Sequence, residues 1–182
     1  GTGGATAKAG AAGGSGIVIV RYLGGDAGDG GTESVGSGTA AGYSIHTFTS
    51  TGSSTLSLNG ISTEFSGVIS GSGNLTVDAT GGEITLSGAN SFTGSTTVSG
   101  GMLAISDDAA LGVSSGGVTV ASGATLDLVS VSVVDETLTL NGGKLKDSTS
   151  SWSGDIALGA NSEFEVASGD TLTIGGVISD GG

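Results

Sequence analysis

Glu163 and Glu165 flank Phe164. On a β-strand such alternate residues share a face, with backbones roughly 6.5–7 Å apart, near the carboxyl separations used to cleave glycosidic bonds. A solvated outer face beside inward Phe164 and Val166 accounts for the same two residues without chemistry. Two further acidic pairs, Asp107-Asp108 and Asp135-Glu136, are chain neighbours that point to opposite sides of any strand, so they read as corner residues. The cations able to act as base or clamp are Lys8, Arg21, Lys144 and Lys146. Lys144 and Lys146 share a face around Leu145 and are expected to pair with Asp147 or Asp155. With so little general acid–base equipment, the reading is that the chain is not an enzyme and holds no catalytic residue.

Other ligand chemistry is thinner still. The chain has no cysteine and one histidine, which removes disulfides, thiolate zinc sites and thiol nucleophiles. His46 alternates with Ser44 and Phe48 and reads as a surface or hydrogen-bonded residue, not a ligand. The Gly24–Gly31 segment has the flavour of a calcium-binding glycine–aspartate nonapeptide, but a single copy cannot stack half-sites. A flexible acidic turn explains it better, so no metal and no cofactor is expected. Trp152, the only tryptophan, can stack on a partner or plug an irregular coil. Thr137/Thr139 and Thr171/Thr173 raise an ice-binding array, yet corresponding positions hold Ser57, Asp127 or Ala157 and break the rows.

The elements that position these residues follow from composition. Of 182 residues 39 are Gly, and Gly, Ser and Thr together make close to half of the chain. Leu, Ile, Val and Phe supply about a quarter, above the level expected of a disordered chain. Four Phe, two Tyr and one Trp cannot fill a thick core, so burial must come from many short aliphatic strands. A net charge of −13 argues against nucleic acid and against anionic membrane surfaces. No apolar run reaches the roughly 18 residues of a membrane span. The chain starts at Gly1 without a signal-peptide pattern and stops at Gly182 in mid-pattern, as expected of a piece of a longer protein.

From Leu56 onward, pairs of apolar residues two apart recur: Leu75/Val77, Ile84/Leu86, Leu103/Ile105, Val118/Val120, Leu126/Leu128, Leu138/Leu140, Ile156/Leu158, Phe164/Val166 and Leu172/Ile174. Each pair shares one strand face, and the intervals are too short for crossover helices. Repeats sharpen the picture. Gly67-Val68-Ile69-Ser70 returns as Gly176-Val177-Ile178-Ser179, and Leu56-Ser57-Leu58-Asn59-Gly60 as Leu138-Thr139-Leu140-Asn141-Gly142. Asn-Gly after a strand fits either a hairpin turn of an antiparallel β-sandwich or a left-handed corner of a coil. Repeated strand–corner–strand units favour the parallel β-solenoid over the sandwich.

The run Leu75-Thr76-Val77, followed by Ile84-Thr85-Leu86-Ser87-Gly88-Ala89-Asn90-Ser91-Phe92-Thr93-Gly94-Ser95-Thr96-Thr97-Val98-Ser99-Gly100-Gly101-Met102-Leu103-Ala104-Ile105, resembles the autotransporter-associated β-strand repeat of passenger domains and large surface adhesins. That pattern is roughly L-T-L-S-G-x-N-x-(Y/F)-x-G-x-T-x-V-x-x-G-x-L. The departures are Ile84 for the first Leu, Ser95 for a second Gly, and an extra glycine before Met102. The resemblance covers about residues 60–182 and implies a right-handed β-helix (a parallel β-solenoid), secretion and a fibrous surface role. It brings no catalytic residues. Residues 1–60 resemble, more loosely, glycine-rich repeat modules of bacterial surface and phage tail-fibre-like proteins.

The organisation expected is a Gly-rich region over 1–60 holding two short strands, then solenoid repeats over 61–182. The function expected is a structural or adhesive segment of an exported bacterial surface protein or extracellular filament. Its partners would be copies or neighbouring repeats of itself, with surface glycans or a cell surface as further targets. The alternatives are a polysaccharide-active β-helix enzyme and a calcium-dependent binding module. The segment Ile17, Val18, Ile19 and Val20, apolar on both faces, is a candidate for strand addition to a neighbouring subunit. Pairing within its own chain is the favoured reading, since it avoids the entropy cost of association.

Overall fold

The structure is a computed structural model. It describes residues 62–180 in full and, ahead of them, four strands by their backbone alone. Those four are β1 (Val18–Leu23), β2 (Thr32–Val35), β3 (Tyr43–Phe48) and β4 (Ser54–Ser57). The chain continues through β5 (Thr63–Phe65), β6 (Leu75–Leu86), β7 (Thr96–Ile105), β8 (Val118–Ala121) and β9 (Thr125–Val129). It closes with β10 (Ser132–Val133), β11 (Leu138–Asn141), β12 (Lys144–Ser148), β13 (Ser150–Trp152), β14 (Ile156–Ala160), β15 (Glu163–Val166), β16 (Leu172–Ile174) and β17 (Ile178–Ser179). Among the described residues there is no helix.

From β4 onward every strand pairing is parallel, and the strands stack as a solenoid of about six turns. The sandwich alternative is thereby overturned. Asn141-Gly142 makes no hairpin: it is a corner from β11 to β12, with Gly142 at φ 78°. β4, the first half of β6, the first half of β7, β8, β11, β14 and β17 form one side. β5, the second halves of β6 and β7, β9, β12 and β15 form the second. β10, β13 and β16 form the third in the later turns.

The alternation read from the sequence becomes columns of stacked side chains. Val77, Val98, Val120 and Leu140 stack on the first side; Ile84, Leu103, Leu126 and Leu145 on the second. All eight are fully enclosed. Each such aliphatic side chain contributes about 1.5–3 kcal/mol by leaving water, so a narrow core holds when it is repeated at every turn.

In the earlier turns the third side is irregular but still ordered. Phe92, Ala110 and Leu111 are buried there, and Asn90 bridges three turns. Its Oδ1 accepts from the Ile69 N–H at 2.7 Å and its Nδ2 donates to the Ala110 carbonyl at 2.5 Å. The extra glycine before Met102 also has a reason. Gly101 sits at φ 68°, and a Cβ there would run into the Ala79 carbonyl of the turn below.

Residues 1–60 hold four described strands where the sequence reading had two: three form an antiparallel sheet in the order β1-β3-β2, and β4 pairs with β6 of the solenoid. Ile17 and the Gly24–Gly31 segment lie outside the described residues.

Candidate functional site

Strands present alternate residues outward, so the outer surface of each side is a lattice of columns spaced by the turn. On the second side one outward column runs Glu83, Met102, Thr125, Lys144, Glu163, and its neighbour runs Glu64, Thr85, Ala104, Asp127, Lys146, Glu165. The late turns therefore gather Lys144, Lys146 and three carboxylates on one face. Lys144 Nζ lies 3.4 Å from Glu163 Oε1 and 2.5 Å from Glu165 Oε2. Lys146 Nζ donates to Asp127 Oδ2 at 2.6 Å.

This corrects the expected pairing with Asp147 or Asp155. Asp147 faces inward in the column Leu128, Asp147, Val166, and Asp155 Oδ1 accepts from the Val177 N–H at 2.9 Å. The reason is geometric: outer side chains meet across turns, not along the chain.

The Lys144 hydrogen bond holds the Glu165 carboxyl below its ordinary value. The same bond raises Lys144, and the Asp127 bond raises Lys146. The carboxyl that burial does push upward is Glu136, and it accepts from the Gly117 N–H away from this face.

The remaining expectations divide cleanly. Asp107 and Asp108 are corner residues: Asp107 accepts from the Ala109 N–H at 2.8 Å and Asp108 from the Ser132 N–H at 2.7 Å. Asp135 is also a corner, at φ 58°. Trp152 lies in β13 with its side chain enclosed in the core, so it neither plugs a loop nor offers a face to a partner. Threonine rows are less broken than the sequence suggested. Thr76, Thr97, Thr119 and Thr139 stack in one outward column before it ends at Ala157. Only the stacking of turns reveals that column, because its members stand 20 to 22 residues apart.

Among the described residues no group of His, Cys, Asp or Glu is arranged to hold a metal ion. Among them, too, no helix is long and apolar enough to cross a membrane. The outward lattice offers repeated polar side chains along the stacked turns.

The stretch from the corner at Thr80 through Ile84–Leu86, the Asn90–Phe92 bridge and Thr96–Val98 back to Met102–Ile105 makes one full turn of the solenoid. Residues 80–105 match the passenger-associated-transport-repeat. The autotransporter-type resemblance read from the sequence thus falls on a passenger-associated repeat, and its residues form a closed structural unit. Comparison with curated proteins and with solved structures finds no match. The repeat and the parallel solenoid together fit an autotransporter passenger domain.

Proposed function

We propose that this chain is a surface-exposed structural segment of an exported bacterial protein, a passenger-type stalk that carries no catalysis of its own and makes adhesive contacts through its outer faces. The observation that supports this most is the passenger-associated repeat at residues 80–105, folded as one complete solenoid turn. Stacked turns satisfy backbone hydrogen bonds along the axis and leave outward positions free to vary. An acidic surface keeps such rods soluble and mutually repelled.

Antibody raised against the chain should label intact source cells, and protease treatment of those cells should abolish the label. Labelling only after permeabilisation would overturn the reading. Incubation with acidic and neutral polysaccharides should release no new reducing or unsaturated ends.

The same reading includes self-association. Strand β1 pairs with β3 on one side only among the described residues. The apolar segment Ile17, Val18, Ile19 and Val20, of which the last three open β1, is the proposed point of strand addition to a neighbouring copy. Deleting residues 1–24 should then abolish any polymers seen by electron microscopy; unchanged polymers would exclude the segment.

A further inference from the structure

One turn of the solenoid turns polar groups inward where its neighbours are aliphatic. In the turn built from β11, β12 and β13, Asp147 stacks between Leu128 and Val166. Around the next corner, Trp152 stacks on Val133, and the Ser150 hydroxyl oxygen accepts from the Val131 N–H at 3.2 Å. Asp147 is 1% exposed and Trp152 0%. Neither carboxylate oxygen of Asp147 has a hydrogen-bond partner, and neither has the indole Nε1 of Trp152.

The inward set of this turn is an exchange relative to the turn before it. A leucine and a valine shrink to Asp147 and Ser150, while Val133 gives way to the larger Trp152. Volume is roughly conserved and polarity is not. A buried carboxylate and a buried indole N–H left unpaired each cost about 1–3 kcal/mol or more, so the turn needs something that serves both. A cation would suit the carboxylate, but it would meet the donor-only indole N–H. Water suits both: its oxygen accepts from the indole, and its two hydrogens go to the carboxylate.

We propose that Asp147 and Trp152 hold an internal water in the lumen of this turn, the water accepting from the Trp152 Nε1–H and donating to the Asp147 carboxylate. Ser150, beside them on the inner face, is fixed by the Val131 N–H and is not a ligand of this water. The site does not depend on the surface role proposed above.

Trp152 is the only tryptophan, so in a uniformly nitrogen-15-labelled chain its indole N–H gives one unambiguous resonance. That resonance should show cross-relaxation with a long-lived water. The cross-peak should persist in Asp147→Asn, which keeps an acceptor, and disappear in Asp147→Leu. It should also survive Ser150→Ala, whose hydroxyl would otherwise relay exchange from bulk solvent. Three results would overturn the site: no water cross-peak in the native chain, a cross-peak that remains in Asp147→Leu, or one lost in Ser150→Ala. Should Asp147→Leu fail to fold, the native and Asp147→Asn spectra decide by the presence or absence of the peak.

Discussion

Asn90 shows how one side chain replaces a strand. It lies where the third side has no ladder, and its amide serves the turn below through Ile69 and the turn above through Ala110. Removing it leaves a backbone N–H and a carbonyl without their partners in a buried setting. Asn90→Ala is expected to cost about 2–4 kcal/mol in urea unfolding, well beyond a typical surface substitution. Glu136 is a second residue with a local effect on stability. Burial raises its folded value above the ordinary 4.5, so the folded chain holds this proton more tightly than the unfolded one. Stability therefore falls as pH rises from 4.5 through the raised value, and the penalty is complete above it. Glu136→Gln keeps an acceptor for the Gly117 N–H and removes the charge. It should melt above the native chain at pH 7, and the gap should close below pH 4.5.

At the scale of elements, strand β15 carries Glu163 and Glu165 against Lys144 of β12. Both carboxylates are well exposed, so the ion pairs are screened and individually weak. Their pH window is still defined. Glu165 is depressed below 4.5, so its contribution is present above that value and fades as pH falls through the lower folded one. Lys144 is raised above 10.5, so its share is complete below that value and fades only as pH rises through the higher one. Acidification should thus loosen β15 before the enclosed β9. Amide hydrogen exchange, corrected for its intrinsic pH dependence, should show protection at residues 163–166 dropping below pH 4.5 while residues 125–129 hold. Lys144→Met should remove that difference.

Across the whole molecule, 17 acidic residues face four lysines and arginines. The ion pairs on the second side stabilise through salt-sensitive attraction, but they are three contacts set against a net charge of −13. Self-repulsion has the larger weight, so screening should favour the folded chain. Raising sodium chloride from 20 to about 300 mM, which shortens the screening length several-fold, should raise the melting temperature. A fall would mean that the lysine contacts dominate instead.

The pairs Leu75/Val77, Ile84/Leu86, Leu126/Leu128 and Leu138/Leu140 were legible in the sequence because strand faces alternate with a period of two, whatever the strand later pairs with. Asp147 was misplaced all the same: it was expected beside Lys144 and Lys146, whereas the alternation sets it on the inner face with Leu145. Lysine partners were not legible. Asp127, Glu163 and Glu165 lie 19 to 21 residues from their lysines, and that distance equals one turn only after the corners have set how much chain each turn uses. Gly-Val-Ile-Ser makes the limit plain. At 67–70 its isoleucine packs against the core beside Asn90, whereas at 176–179 its isoleucine opens β17 opposite Ile156. Four identical residues take two sides of the solenoid. What the chain alone determined was which residues point in and that the strands are short; stacking decided what each outward residue touches, since those contacts run along the axis between segments whose register no local sequence carries.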